Sequence, residues 1–176
     1  MQFILQISGI FLVMNMIIFD FNTDTAIDDW RVVNDGVMGG RSQSQFSINE
    51  AGHGFFLGTV SLANNGGFAS VRYRFQTIDA TPYSKVSIRL RGDGNTYQFR
   101  VKATTEQRYS HIANFTTSGE WQTVTIDFSD MYPAFRGRLL ELPNYSGSTL
   151  SEIAFLIGNK KEESFALEID NIMIYN

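Results

Sequence analysis

Apolar and polar residues alternate one for one along much of this chain. Val71, Tyr73 and Phe75 are interleaved with Ser70, Arg72 and Arg74, and Val86, Ile88 and Leu90 with Ser87, Arg89 and Arg91. Tyr97, Phe99 and Val101 alternate with Gln98, Arg100 and Lys102. Val124, Ile126 and Phe128 alternate with Thr123, Thr125 and Asp127, and Phe165, Leu167 and Ile169 with Ala166, Glu168 and Asp170. A period of two sends successive side chains to opposite faces, so each run predicts a strand with one face in a core and one toward solvent. No window sustains the period of 3.6 that an amphipathic helix needs. About ten such strands in one chain of this length predict a single all-β domain, a sandwich or a barrel. The 15 phenylalanines and a hydrophobic fraction of 43% are enough to fill its core.

Turn residues divide the strands. Asn64-Asn65-Gly66-Gly67 and Gly92-Asp93-Gly94-Asn95 each read as a tight hairpin, because Asn and Gly tolerate the positive φ that such turns demand. Arg136 to Leu142 is the one segment that suggests a helical turn, ending near Pro143. Ile17 to Phe21 reads as the first strand. Ahead of it, Phe3 to Phe19 carries no charge, so residues 1–15 form an apolar extension and 16–176 the domain. Three readings of that extension stand: translation that really begins at Met14 or Met16, a weak signal or membrane anchor, or an ordered part of the fold. Gln6, Ser8, Gly9 and Asn15 interrupt the run, which is short for a span of about 20 apolar residues.

Composition removes much chemistry. The chain has no cysteine, so disulfides, thiolate nucleophiles and Cys-type metal sites are absent. Its histidines are His53 and His111 alone, which excludes a multi-histidine metal centre. A net charge of −4 argues against nucleic acid as a partner. His53, in Ala51-Gly52-His53-Gly54, is expected on an exposed turn and His111 in a structural role. Asp127 with Asp130, and Glu168 with Asp170, are carboxylate pairs that a glycosidase could in principle use, but solvated or turn-capping carboxylates are the commoner reason for such pairs. No D-x-D-x-D-G run supports calcium. Neither catalytic residue nor metal ligand nor cofactor is predicted.

Two segments stand out. Trp30-Arg31-Val32-Val33-Asn34-Asp35-Gly36-Val37-Met38-Gly39-Gly40-Arg41-Ser42 is glycine-dense, yet it fits neither the P-loop spacing nor the dinucleotide spacing. It is either a tight structural loop or a binding surface offered by Trp30, Asn34, Asp35, Met38 and Arg41. Asn64 to Phe68 is either a plain turn or a site where asparagine amides grip a ligand. Arg72, Arg74, Arg89, Arg91, Arg100 and Lys102 concentrate six of 14 basic residues on three strands. If those strands are neighbours, the sheet has a basic face suited to an anionic partner; otherwise it is an ordinary solvated face.

Together these residues carry a resemblance. The run W-x-x-x-N-D-G-V-M-G-G-x-S from Trp30 to Ser42 and the block Phe56 to Arg72 resemble the complex I intermediate-associated protein 30 family. Gly92-Asp93-Gly94 with Tyr97, then Trp121, then Phe165 to Ile172 continue the similarity in order. The resemblance implies a galactose-binding-like jelly-roll β-sandwich and a role as an assembly factor that holds membrane-arm intermediates of respiratory complex I. It implies no catalytic residue. No Arg precedes Arg31, so no mitochondrial transit signal is evident, and the chain resembles a free-standing bacterial member.

The predicted function is a non-catalytic binding module whose partner is a protein, with a carbohydrate-binding module as the alternative and a glycoside-active enzyme behind it. The predicted surface joins the loop 30–42 to the turn 64–68. Trp30 would stack, Asn34, Asp35 and Asn64 would make polar contacts, and Gly39 and Gly40 would expose backbone. Met38, Ser42, Asn65, Gly66, Phe68 and Arg72 complete it. A cytoplasmic monomer, brought to membranes through its partner, is expected, with export left open.

Overall fold

A computed structural model describes residues 14–176; the expectations for residues 1–13 fall outside it. The chain forms two antiparallel sheets. In the first, β3 (Gln43–Ile48), β4 (Gly54–Val60), β13 (Glu163–Tyr175), β6 (Lys85–Arg91) and β9 (Trp121–Asp127) lie in that order. β1 (Asn15–Asp20) pairs with β13 from Asn171 to Tyr175, beyond the stretch that β4 occupies. The second sheet runs β11 (Arg138–Leu139), β10 (Tyr132–Phe135), β8 (Ser110–Thr116), β7 (Thr96–Lys102), β12 (Thr149–Ile157), β5 (Ala69–Asp79) and β2 (Trp30–Val32). This is the expected β-sandwich. Its 13 described strands exceed the forecast mainly because β2 and β11, of three and two residues, are too short to show an alternation.

The apolar member of each alternation faces inward. Phe56, Ile88 and Leu167 of the first sheet and Tyr97, Phe99 and Phe155 of the second belong to one buried cluster, none more than 1% exposed. β12 differs, since every residue from Ser151 to Ile157 is buried. It is central in its sheet, and long side chains from β5 and β7 flank its outer face. Such a strand reads as a continuous apolar run and not as an alternation.

Three local expectations need correction. Residues 61–68 leave β4 of the first sheet and enter β5 of the second, and residues 92–95 join β6 to β7 in the same way. Both are crossings between sheets, not hairpins. Positive φ at Asn64, Asn65 and Gly94 fixes a sharp turn, but which sheet receives the next strand is decided by tertiary packing. Arg136 to Leu142 is not helical. Arg136 and Gly137 have φ of 50° and 76°, which suits the two-residue turn joining β10 to β11.

Phe155 meets the rings of Phe99 and Phe115 with centroids 5.5 and 6.4 Å away. Phe155→Ala is expected to cost about 3–5 kcal/mol, read from the urea midpoint. A loss below about 1 kcal/mol would mean that the inner face of β12 is not the packed centre described here.

Candidate functional site

The glycine-dense loop and the 61–68 crossing meet at one carboxylate. Asp35 opens a 3-10 turn, Asp35–Met38, and is fully buried. Among the described residues, no cation pairs with it. Instead, the Ser42 amide donates to Oδ1 at 2.9 Å and the Ser42 hydroxyl to Oδ2 at 2.5 Å. From the crossing, the amides of Gly67 and Phe68 donate to Oδ2 at 2.6 and 3.3 Å. Gly40 and Gly66 are packed against the same carboxylate. A Cβ at Gly66 would stand 2.5 Å from Oδ2, and one at Gly40 would overlap Cγ. Asn64, held at φ 56°, donates through Nδ2 to the Gly39 carbonyl at 3.1 Å. The two segments are therefore neighbours, as expected.

The structure sorts the other predicted residues. Trp30 was expected to offer a stacking face, but it is 7% exposed and packs against Phe19, Phe21, Phe46 and Tyr73 with centroids 4.9–5.4 Å away. Its ring is core, because β2 pairs Trp30 with Tyr73 on the inner face of β5. Asp35 and Ser42 are likewise buried, so their polar contacts are internal. Asn34 is half-buried and accepts from the Ser44 hydroxyl at 2.7 Å. Gly39, Asn64 and Asn65 are exposed, and Gly40, Gly66, Phe68 and Arg72 are half-buried. Met38 ends the 3-10 turn; its side chain lies outside the described part.

The six basic residues do not share a face. Arg89 and Arg91 lie on β6 in the first sheet, where they pair with Asp170 at 3.4 Å and Glu168 at 2.6 Å and sit over the Trp121 ring. His53 is not free on its turn: it stands 3.6 Å from Glu168 and 3.8 Å from Asp170. Arg72, Arg74, Arg100 and Lys102 instead flank β12 on the outer face of the second sheet.

That face holds a groove of about 680 Å³. Gly66, Gly67 and Phe68 form one end, so the Asp35 junction sets its wall. Glu152, Ala154 and Leu156 of β12 supply the floor, and Phe135, Arg136 and Gly137 the opposite end. Its lining has five cations, Arg72, Arg100, Lys102, Arg108 and Arg136, against one carboxylate, Glu152. Burial, then the charge of Arg72, lowers the Arg100 guanidinium to about 10. Burial also lowers Arg72, with Glu152 opposing and Arg74 adding to the effect. Phe135 lies under the Arg108 and Arg136 guanidinium groups at 5.7 and 5.3 Å. Sequence motifs marked Gly66, Phe68 and Arg72. Arg108, Phe135, Arg136, Glu152 and Ala154 went unmarked; for Glu152 and Ala154 the missed signal was their interruption of the apolar run of β12. Among the described residues, no group of three or more His, Asp or Glu is placed to hold a metal.

A family model described as complex I intermediate-associated protein 30 matches residues 19–169. The chain belongs to this family. It is 27% identical to the mitochondrial complex I intermediate-associated protein 30 of Drosophila melanogaster, over 89% of this chain and 61% of that protein. It is 26% identical to the Mus musculus protein of the same name, over 90% and 56%. The chain thus spans about 60% of the length of these curated relatives. In fold, this family member is similar to a family 11 carbohydrate-binding module from Clostridium thermocellum, solved with a β-1,3-1,4-mixed-linked tetrasaccharide. The TM-score is 0.65 at 18% identity, covering 91% of this chain and 94% of that one. The module of the cellulosomal cellulase Lic26A-Cel5E matches with TM-score 0.66 at 17% identity, covering 93% and 95%. Both likenesses are of the sandwich. No helix among the described residues is long and apolar enough to cross a membrane.

Burial alone would raise the Asp35 pKa, but the Ser42 hydroxyl and the amides of Gly67, Ser42 and Phe68 outweigh it and hold the group below its usual range. The unfolded chain therefore binds this proton more readily. The stability that Asp35 contributes is complete above its unfolded pKa, about 3.9, and is lost as pH falls through the lower folded value. Asp35→Asn puts an NH2 against backbone donors and is expected to cost about 2–3 kcal/mol at neutral pH. Urea midpoints between about pH 3 and 7 should show the gap to wild type shrinking in acid. A gap independent of pH would mean that Asp35 is not ionised in the folded protein.

Proposed function

We propose that this chain is a non-catalytic binding module that acts as an assembly factor, holding a protein partner such as an intermediate of a membrane complex. The observation that carries this is a cationic groove whose end wall is fixed by a buried carboxylate, in a family whose fly and mouse members are named for association with complex I intermediates. A wall whose Gly67 and Phe68 amides are tied to the buried carboxylate is ordered before any partner arrives, which lowers the ordering cost of binding. The absence of catalysis is supported by the groove's chemistry. Glycoside hydrolysis uses two facing carboxylates, and the one carboxylate here is tied to Arg74 and Lys102. The expected setting is the cytoplasm of a bacterium, as a monomer brought to the membrane by its partner.

A carbohydrate-binding module is the second reading, favoured by the fold shared with family 11 modules. Fold analogy is weak support for function. Neutral sugars are held largely by flat aromatic faces, and here Trp30 is in the core while Phe135 is covered by two guanidinium groups.

Tagged full-length protein should capture a protein partner from its native cells. The Asn64→Gly, Phe68→Ala double variant allows the positive φ of the turn and removes one exposed and one half-buried side chain. It is expected to capture at least about tenfold less partner while still unfolding cooperatively, with a melting temperature lowered only by the lost Asn64–Gly39 hydrogen bond and the Phe68 ring. Retention on mixed-linked β-glucan in affinity electrophoresis, with no protein captured, would overturn the assembly reading in favour of the sugar-binding one.

A further inference from the structure

Side chains on the outer face of the second sheet stand in rows across the strands, because residues in register on neighbouring strands point the same way. In one row, Glu152 of β12 is in register with Arg74 of β5 and Lys102 of β7. Its buried carboxylate accepts from Arg74 Nε at 2.5 Å and lies 3.6 Å from Lys102 Nζ. The next row along has the same outline, with Arg72 and Arg100 on either side of Ala154. An alanine stands there where the first row has its carboxylate. The row after that, Ser70, Leu156 and Gln98, is uncharged.

The middle row thus brings two guanidinium groups together with no anion between them. Arg100 turns Nε to the Gln98 amide oxygen at 3.0 Å. Among the described residues, Arg72 makes no side-chain hydrogen bond or ion pair; its charge is felt only through neighbouring charges. Both groups line the groove, and Ala154 forms the floor beneath them. Taken alone, the row is unfavourable: two partly buried like charges repel, and each loses hydration. A carboxylate placed over Ala154 would relieve both costs and would match the planar donors of two arginines.

We propose that the Arg72–Ala154–Arg100 row is a carboxylate clamp, and that its occupant is an acidic segment of the protein partner. This rests on the partner-holding function proposed above. A glutamate or aspartate of that segment takes the place that Glu152 fills in the neighbouring row. Lys102, Arg108 and Arg136 receive further acidic side chains along the groove, so the surface is complementary in charge within a chain of net charge −4. The ends of the groove are lined by Gly66, Gly67, Gly137 and Gly158, which leaves an extended backbone room to enter and leave.

The full chain can be titrated with a fluorescein-labelled peptide of alternating glutamate and serine, with a glutamine–serine peptide as control. Wild type should bind the acidic peptide, weaken as salt rises, and ignore the control. Ala154→Glu supplies the missing carboxylate in place. It should weaken acidic-peptide binding at least about tenfold while leaving the melting temperature equal or higher. Arg72→Gln with Arg100→Gln tests the clamp without adding a buried charge, and should give a similar loss. Arg89→Gln with Arg91→Gln, on the first sheet, should leave acidic-peptide binding at the wild-type level. Acidic-peptide binding that survives both clamp variants overturns the proposal. So does binding of polygalacturonate or inorganic phosphate more tightly than the peptide, which would assign the clamp to an anionic sugar or a free anion. If Ala154→Glu loses the peptide yet captures the native partner at the wild-type level, the clamp is not the partner's site, and the assembly role stands. If no protein is captured by wild type while the clamp holds the peptide, it is the assembly role that fails.

Discussion

An ionised carboxylate with no solvent must be surrounded by donors or give up its charge. Asp35 meets that condition with donors drawn from two distant stretches of chain, the loop that contains it and the crossing at 61–68. Removing the crossing would leave Asp35 with the Ser42 donors alone, and removing the loop would leave the Gly67 and Phe68 amides without their acceptor. The constraint also explains the glycines, since Gly40 and Gly66 allow the backbone to close on the carboxylate. It extends to the sheet: Asp35 N–H donates to the Phe68 carbonyl, and Val33 N–H to the Ser70 carbonyl at 2.8 Å. β2 is thereby held to the edge of β5. Because β5 is one side of the groove and Phe68 its end, the buried charge sets the shape of the groove from outside it.

The fold was legible because alternation is a statement about one face, and each alternating run does put its apolar face in the core. β12 was harder. With both faces buried, Thr149–Ile157 shows no period, and Glu152 and Ala154 look like interruptions of an apolar run. They are the floor of the groove. The Asn64–Gly67 and Gly92–Asn95 turns were legible as turns but not as crossings, since local φ carries no information about which sheet follows. Trp30 was misjudged for a related reason. A tryptophan beside a glycine loop suits a platform or a core plug equally, and only its register opposite Tyr73 settles it in the core.

Charge is organised differently on the two outer faces. On the first sheet, Arg89 and Arg91 are answered within the chain by Asp170 and Glu168, with Trp121 beneath the guanidinium groups. On the second, one glutamate answers Arg74 and Lys102, and among the described residues the remaining cations of the groove form no ion pair. A sequence reading that counts six basic residues on alternating strands averages these two situations. The distinction lies in cross-strand register, which pairs β6 with the acidic end of β13 but sets β5 and β7 on either side of Ala154.

A sandwich that carries its ligand on a sheet face can change ligand class by changing that face alone, since the core does not depend on it. In this chain the aromatic rings are largely spent inward: Phe19, Phe21, Trp30, Phe46 and Tyr73 form one continuous cluster between the sheets. The outer face is left to arginine and lysine, of which Arg72, Arg100 and Lys102 are half-buried beside β12. Flat rings favour flat, uncharged ligands; forked donors over a small residue favour carboxylates. A sandwich like that of the family 11 module solved with a tetrasaccharide would therefore, with these side chains on its outer face, suit an acidic chain instead.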